Sequence, residues 1–233
     1  MSGRATRDLR GRANWIIMPE SLTGILALAA VTLGSLHTLA PDHWVPFAAL
    51  ARAQGWSRAR TARITALCGF GHVTVSVLLG VLALLFGLEM LKVVGQRMEA
   101  MAGILLVLFG LVYAVYGLRR AAGTRVHGHH HTHYDHVHEP GQMTPWALFL
   151  LFSADPCVAV IPILFAAAPL GTVRTTIVVS AYELATIGTM VALVLPAAAA
   201  AKKVTGHWVE HYGDAVAGGV IAAVGVLVTA MGW

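Results

Sequence analysis

The sequence predicts an all-α integral membrane protein whose six transmembrane helices form two inverted three-helix repeats with broken helices. Three observations support this: the composition is apolar, six apolar runs are long enough to span a bilayer, and a short pattern recurs half a chain later. Of 233 residues, 57% are hydrophobic and 12% are charged, whereas soluble domains carry roughly 25% charged residues. A soluble protein with so few charges could not cover its surface, so the membrane class comes first.

Each predicted helix rests on a run of about 20 apolar residues. The runs occupy residues 21–41, 62–88, 100–118, 145–168, 175–201 and 213–232. The first run is too long for the apolar part of a signal peptide, so we expect it to be retained. The predicted segments are a basic N-terminal segment (1–20), a first repeat (21–120), a His-rich linker (121–144) and a second repeat (145–233).

The repeat is indicated by PFAALARAQGWSR at 46–58 and PILFAAAPLGTVR at 162–174. Both read Pro, eight residues, Gly, two residues, Arg, and they begin 116 residues apart. A polar cluster precedes each stretch: PDH at 41–43 and DPC at 155–157. Three spans per repeat give the halves opposite orientations, as in many secondary transporters whose sites lie at the repeat interface.

Ionisable residues at membrane depth are the candidate site. Each costs at least about 2.5–3.5 kcal/mol on insertion scales, so its presence calls for a reason. Six of them lie in or beside the predicted spans, and Cys157 adjoins one: His37, Asp42, His43, His72, Asp155 and Glu183. Imidazoles, carboxylates and a thiol suit a transition metal, and the same groups suit a proton relay. We predict all seven as metal ligands.

The position of Pro41 explains how three of these residues could converge. On a straight helix His37, Asp42 and His43 point in different directions. Pro41 removes a backbone donor and crowds the preceding turn, so we expect the helix to kink or stop there. The break lets Asp42 and His43 fold back toward His37. Residues 44–55 are too short to span, and the second-half cluster predicts a matching break near Pro156–Pro162.

Two further residues each have a structural alternative to a ligand role. His72 lies in the middle of the second span, where Gly69 and Gly71 allow close helix approach, and it could simply hydrogen-bond across helices. Glu183 lies in the fifth span and could pair with a histidine, bind metal, carry a proton or hydrogen-bond as a neutral acid. The cysteines, Cys68 and Cys157, could each be small buried apolar residues.

The linker carries VHGHHHTHYDHVHEP at 126–140, which holds seven of the twelve histidines. Short His-rich tracts bind divalent transition metals weakly and exchangeably. The alternative is a solvated linker that senses pH. We expect a weak metal-collecting loop made of His127, His129, His130, His131, His133, His136 and His138.

The motifs resemble those of the nickel/cobalt permeases. HTLAPDH at 37–43 is similar to their signature of His, four residues and Asp-His, and FGHVTVS at 70–76 looks like their Gly-His segment. The His-rich loop resembles that of the bacterial nickel/cobalt efflux branch, and the repeat resembles the wider lysine-exporter superfamily. By this resemblance His37, Asp42, His43 and His72 are metal ligands.

The resemblance implies a permease, not an enzyme, that exports a divalent metal across the bacterial inner membrane. No cofactor is expected beside the transported ion, for which Ni²⁺ or Co²⁺ is favoured and Zn²⁺ or Fe²⁺ are alternatives. The net charge of +5 fits short basic loops that meet anionic lipid. The expected partners are the metal ion and membrane lipid, without nucleic acid, and a homo-oligomer is compatible with the sequence.

A second function from a different class remains open. The cytochrome-c-biogenesis thiol transporters, which also belong to that superfamily, resemble this chain in having a cysteine beside a proline. In this alternative Cys68 and Cys157 are the redox pair of a transmembrane thiol–disulfide electron carrier. The chain departs from that pattern, since His43 stands where the first half would carry the second cysteine. A metal sensor is a third alternative, but no signalling domain is present.

Overall fold

The fold is all-helical throughout the part of the chain that the computed structural model describes. It describes the backbone of residues 3–123, 145–155 and 157–231, with side chains from residue 20 onward except 88–100 and 145. The helices are α1 (Gly3–His37), α2 (Val45–Ala53), α3 (Arg58–Phe86), α4 (Leu88–Gly123), α5 (Pro145–Ser153), α6 (Val160–Ala167), α7 (Thr172–Lys203), α8 (His207–His211) and α9 (Gly213–Met231). The seven loop histidines, from His127 to His138, lie outside these ranges.

Five helices of the described chain are long and apolar enough to cross a membrane. These candidate spans are Glu20–His37, Arg58–Phe86, Met101–Gly123, Thr172–Lys203 and Gly213–Met231. The predicted fourth span, 145–168, is divided into α5 and α6, two helices of nine and eight residues. The break between them, after Ser153 and before Val160, lies where the second helix break was expected. The polar Asp155 lies in this break.

The outer surface of the bundle is apolar, as a lipid-facing surface must be. Large exposed side chains occur on every candidate span: Leu28, Leu85, Val112, Leu184 and Val226 are examples. In water such a surface would be an aggregation hazard, because soluble monomers rarely expose contiguous apolar patches of this extent. The chain is therefore a multi-pass membrane protein.

Helices α4 and α9 form the most extensive helix pair, and glycines bring their backbones together. A Cβ built on Gly218 would lie 2.3 Å from the backbone nitrogen of Ala114, and one on Gly110 would lie 2.3 Å from that of Ala222. Real Cβ contacts are never this short, so both positions require glycine. Close backbone approach of this kind replaces the hydrophobic driving force that lipid does not supply between helices.

Helices α1, α2, α5 and α6 pack around α3 and α7. Helix α1 crosses α7 at Gly34, where a Cβ would lie 2.8 Å from Thr186 Oγ1. Helix α3 contacts α5 at Gly71, where a Cβ would lie 2.5 Å from both Phe149 and Ser153, while Gly69 faces α7. The expected close approach at Gly69 and Gly71 is therefore confirmed, and two different helices use it.

Short helix α2 is buried and fixed at its end by a long-range contact. Pro46, Phe47 and Leu50 are buried in the core. The Arg52 guanidinium donates from Nε to the carbonyl of Ala201 at 2.7 Å and from Nη2 to that of Val204 at 2.8 Å. It thereby binds two carbonyls at the C-terminal end of α7, and that of Ala201 also accepts the capping amide of Val204 at 3.3 Å. Helix α2 is too short to span, as expected for residues 44–55.

Candidate functional site

Three histidines from separate segments meet inside the bundle. Helix α1 ends at His37, a 3₁₀ turn carries His43, and His72 is the central residue of α3. The ring centroids of His37 and His43 lie 4.5 Å apart, those of His43 and His72 5.2 Å, and those of His37 and His72 6.3 Å. His43 is 3% exposed and His72 1% exposed, so solvent has little access to the cluster.

A tight turn after α1 returns the chain toward His37. The Ala40 amide donates to the carbonyl of His37 at 3.1 Å, and the His43 amide donates to the carbonyl of Ala40 at 3.2 Å. Between them Pro41 has no N–H to continue the helical ladder. The turn spans Pro41–His43 and leads directly into α2. It places His43 beside His37, which a straight helix would not do.

Asp42 contacts His43 rather than the centre of the cluster. Its Oδ1 lies 3.0 Å from His43 Nδ1. The other ring nitrogen of His43, Nε2, is buried and has no hydrogen-bond partner among the described residues.

His72 is oriented in a similar way by a backbone group. Its Nδ1 lies 3.2 Å from the carbonyl oxygen of Phe152, at the end of α5. A carbonyl only accepts, so Nδ1 carries the proton and Nε2 carries a lone pair. Within the described chain His72 Nε2 is buried and finds no hydrogen-bond partner. A lone pair held in this way is available to a ligand.

Cys157 lies in the break between α5 and α6 and is fixed by two polar contacts. Its amide donates to Ser76 Oγ at 2.6 Å, and its Sγ lies 2.7 Å from the Tyr182 hydroxyl. Ser76 in turn donates to the carbonyl of His72 at 2.6 Å. Each ligand-type atom of His37, His72 and Cys157 lies within 4.8 Å of the other two. The fold therefore brings a thiol to the histidine cluster.

The other predicted site residues lie elsewhere. Asp155 is half-buried in the same break, and Glu183 is half-buried on α7. Glu183 follows Tyr182 and so points about 100° away from it around the helix. Neither carboxylate belongs to the group of three within 4.8 Å. Cys68 is fully buried one helical turn before His72, in the apolar cluster with Phe47 and Leu50.

Two site residues escaped the sequence analysis. Ser76 follows His72 by four residues, which puts both on one face of α3, so the spacing could have indicated it. Tyr182 offered no such signal, since a tyrosine before Glu183 is equally compatible with a packing role. Its contact with Cys157 depends on how α7 packs against the break.

The Ser76 hydrogen bond gives a testable expectation. Ser76→Ala leaves the Cys157 amide buried without a partner, at a cost of about 1–3 kcal/mol. We expect a lower unfolding temperature in detergent and faster alkylation of Cys157. Ser153→Ala is the matched control, because the Ser153 hydroxyl is buried without a partner among the described residues. Equal effects of the two substitutions would contradict the assigned role of Ser76.

Comparison with known families corrects the expected permease function. The chain matches the family model described as the cytochrome C biogenesis protein transmembrane region over residues 45–227. No curated protein and no solved structure shows significant similarity. The resemblance to nickel/cobalt permeases, and with it nickel/cobalt transport and efflux, was therefore wrong. Its residue-specific part rested on two short motifs, and a few histidines beside a helix break are too small a pattern to identify a membrane family.

The matched region extends over most of the helical bundle. It begins at the start of α2 and ends within α9. It thus includes α3, the break with Cys157, and α7, and it covers most of the chain. The chain belongs to the family of cytochrome c biogenesis protein transmembrane regions.

Proposed function

We propose that this protein is a transmembrane thiol–disulfide electron carrier of the cytochrome-c-biogenesis type, with Cys157 and Cys68 as its exchanging thiols. The family supports the proposal, and so does the presence of two buried free cysteines in the described chain. The observation that carries it is the position of Cys157. It lies in a non-helical break inside the bundle, held by the side chains of Ser76 and Tyr182.

The location of Cys157 in a break matters because exchange requires a sulfur that can move. A cysteine in a regular helix is fixed by its backbone ladder, as Cys68 is in α3. The residues from Ala154 to Ala159 lie between α5 and α6, and broken backbone at this depth is tolerated only where it is buried in protein or lines a cavity. In the proposed cycle Cys157 is therefore the partner that moves, once its contacts with Ser76 and Tyr182 are released.

The proposed cycle moves two electrons and two protons. The Cys157 thiolate attacks the disulfide of a partner protein, forming a mixed disulfide and releasing one partner thiolate. Cys68 then attacks Cys157 Sγ, which forms the Cys68–Cys157 disulfide and releases the second partner thiol. The partner disulfide is reduced to a dithiol while the carrier dithiol is oxidised. A dithiol protein on the other side of the membrane returns the two electrons and two protons by the reverse steps.

Closing the pair requires Cys157 to move along α3. Cys68, His72 and Ser76 are spaced by four residues and so share one face. The Cys157 amide is bound at Ser76, about 12 Å along the helix axis from Cys68. A disulfide needs Cα atoms about 4.4–6.8 Å apart. Release of the Ser76 and Tyr182 contacts is therefore part of the proposed cycle, and the structure corresponds to its reduced state.

The proposal includes two inverted three-helix repeats, 21–120 and 145–233, joined by the linker 121–144. It is supported by Gly55 and Gly171, the equivalent glycines of the recurring pattern. Both have positive φ, 63° and 89°, and both connect a short helix to a long one. The two repeats also pack against each other reciprocally. Helices α1 and α2 of the first repeat contact α7 of the second, and α5 and α6 of the second contact α3 of the first. The six-span count takes α5 and α6 together as one broken span.

The proposed location is the bacterial inner membrane. Electron exchange across a membrane is useful where one side is oxidising and the other reducing. The periplasm and cytoplasm of a bacterium differ in this way.

Proteoliposomes test the proposal directly. The full chain is reconstituted with a membrane-impermeant dithiol peptide outside and an entrapped disulfide peptide, carrying a self-quenched fluorophore pair, inside. We expect reduction of the entrapped peptide at least about 10-fold faster than in protein-free liposomes, with one disulfide reduced for each dithiol oxidised. Liposomes containing chain alkylated at both cysteines are the control. A rate for folded protein equal to that of protein-free liposomes would contradict the proposal.

A further inference from the structure

We propose that His37, His43, His72 and Cys157 form a binding site for a divalent transition-metal ion of the Zn²⁺ type, and that the bound ion masks the Cys157 thiol. The inference does not depend on the exchange chemistry above, since it rests on the donor atoms alone. Histidine nitrogens and a cysteine thiolate are the donors that Zn²⁺ takes in tetrahedral sites. The hard ions Mg²⁺ and Ca²⁺ prefer oxygen ligands and do not fit this set.

The spacing of the donors is close to that of a tetrahedral site. Bond lengths of about 2.0–2.1 Å to nitrogen and 2.3 Å to sulfur put tetrahedral ligand atoms roughly 3.4–3.8 Å apart. The atoms of His37, His72 and Cys157 lie within 4.8 Å of one another, so shifts of about 1 Å bring these three to tetrahedral spacing. The His43 ring, whose centroid is 4.5 Å from that of His37 and 5.2 Å from that of His72, provides the fourth donor. His37 is the last residue of α1 and Cys157 lies in the α5–α6 break. Neither residue is inside a regular helix, so small shifts of either one do not disrupt a helix.

The hydrogen bonds around two of the histidines provide independent evidence for a ligand. A metal-bound histidine almost always donates its other ring N–H to a carboxylate or a backbone carbonyl, which fixes the ring. His43 has Asp42 at Nδ1, and His72 has the carbonyl of Phe152 at Nδ1. The Nε2 atoms of both are buried without a hydrogen-bond partner in the described chain. Burying such atoms without a partner is costly.

Asp42 contributes negative charge to the site without being a direct ligand. A divalent ion buried at this depth needs compensating negative charge. The Cys157 thiolate provides one, and the Asp42 carboxylate, 3.0 Å from His43 Nδ1, provides another. The three imidazoles bind metal in their neutral form and add no charge. The Zn²⁺ ion, the Cys157 thiolate and the Asp42 carboxylate together therefore have no net charge. The structure assigns Asp42 as the residue that orients His43, which differs from the sequence expectation of a metal ligand.

The test uses the full chain in a background where the seven loop histidines are replaced by serine, because that loop would bind metal weakly. Equilibrium dialysis with Zn²⁺ should give one tightly bound ion per chain. Cd²⁺ should give a thiolate-to-metal charge-transfer band in the ultraviolet. Zn²⁺ should slow alkylation of Cys157 by at least about 10-fold, since a metal-bound thiolate is no longer free to react, and leave Cys68 unaffected.

Variants distinguish ligands from bystanders. We expect Cys157→Ser to remove the Cd²⁺ band, and Cys68→Ser to keep both the band and the Zn²⁺ affinity. Asp42→Asn should keep the band but weaken Zn²⁺ binding about 10–100-fold, as loss of an orienting group does. His72→Gln, which retains size and polarity, should weaken binding at least as much.

Absence of a stoichiometric Zn²⁺ ion in the background chain would overturn the inference, and so would a Cd²⁺ band that persists in Cys157→Ser. An unchanged Zn²⁺ affinity in folded His72→Gln would do the same. All of these measurements proceed without a redox partner. Failure of metal binding is therefore distinguishable from failure of electron transfer.

Discussion

The Cys157→Ser chain should lose transmembrane electron transfer entirely, falling to the rate of protein-free liposomes. A serine hydroxyl is not deprotonated at neutral pH and forms no disulfide, so both exchange steps stop; we expect the rate to fall by at least about 10-fold. Serine still offers an oxygen to the Tyr182 hydroxyl and keeps the amide that binds Ser76, so the fold should persist. The entrapped-disulfide assay measures the rate, and circular dichroism checks the helical content.

Cys68→Ser is the paired variant and should fail differently. Cys157 can still attack a partner disulfide, but no second thiol is present to resolve the mixed disulfide. The chain should therefore accumulate as a covalent adduct with the disulfide peptide, visible on a non-reducing gel and removed by reductant. Full electron transfer by either folded single variant would contradict the assignment of the pair.

Gly218→Ala should produce the largest loss of stability among single methyl additions. The new Cβ would lie 2.3 Å from the backbone nitrogen of Ala114 and 2.6 Å from the carbonyl of Gly110. Neither atom is the end of a flexible side chain, so α4 and α9 must separate along their whole contact. We expect a cost near the upper end of about 1–3 kcal/mol for overpacking, or roughly 5–10 °C in unfolding temperature.

Gly219→Ala is the matched control on the same helix. A Cβ at Gly219 meets nothing within 4 Å, and alanine improves helix formation by about 0.5–1 kcal/mol. The chain should be as stable as the parent or slightly more stable in a thermal scan followed by size-exclusion chromatography in detergent. Similar losses from both substitutions would show that the α4–α9 contact is not as close as described.

The turn at Pro41 shows what local chemistry can predict. Proline lacks an N–H, so a helix break was expected after His37, and α1 does end there. The return of His43 toward His37 followed from the same break. The contacts of Gly69 and Gly71 were also expected from their size, although the helices that use them, α7 and α5, could not be named from sequence.

Cys157 was named as a candidate ligand from its residue type, but its approach to the histidine cluster could not be predicted from local sequence. Its approach to His37 and His72 depends on how the break between α5 and α6 packs against α3, which involves residues more than 80 positions apart. The break itself was expected from the prolines of the fourth run, and α5 and α6 are indeed separate helices. Hydropathy measures only composition, so it could not indicate which side chains the break contacts. The function was misjudged for a related reason, since short histidine motifs report local donors, whereas the family match extends over residues 45–227.

The central claim is that Cys68 and Cys157, which line separate apolar clusters in the reduced protein, form one disulfide during the cycle. Its most direct test is mass spectrometry of the purified chain after equilibration with an excess of oxidised disulfide peptide, followed by alkylation and proteolysis. We expect a linked peptide pair that contains both cysteines, and two alkylated peptides again after treatment with a dithiol. Recovery of both cysteines as separately alkylated peptides from the oxidised, folded chain would contradict the proposed carrier.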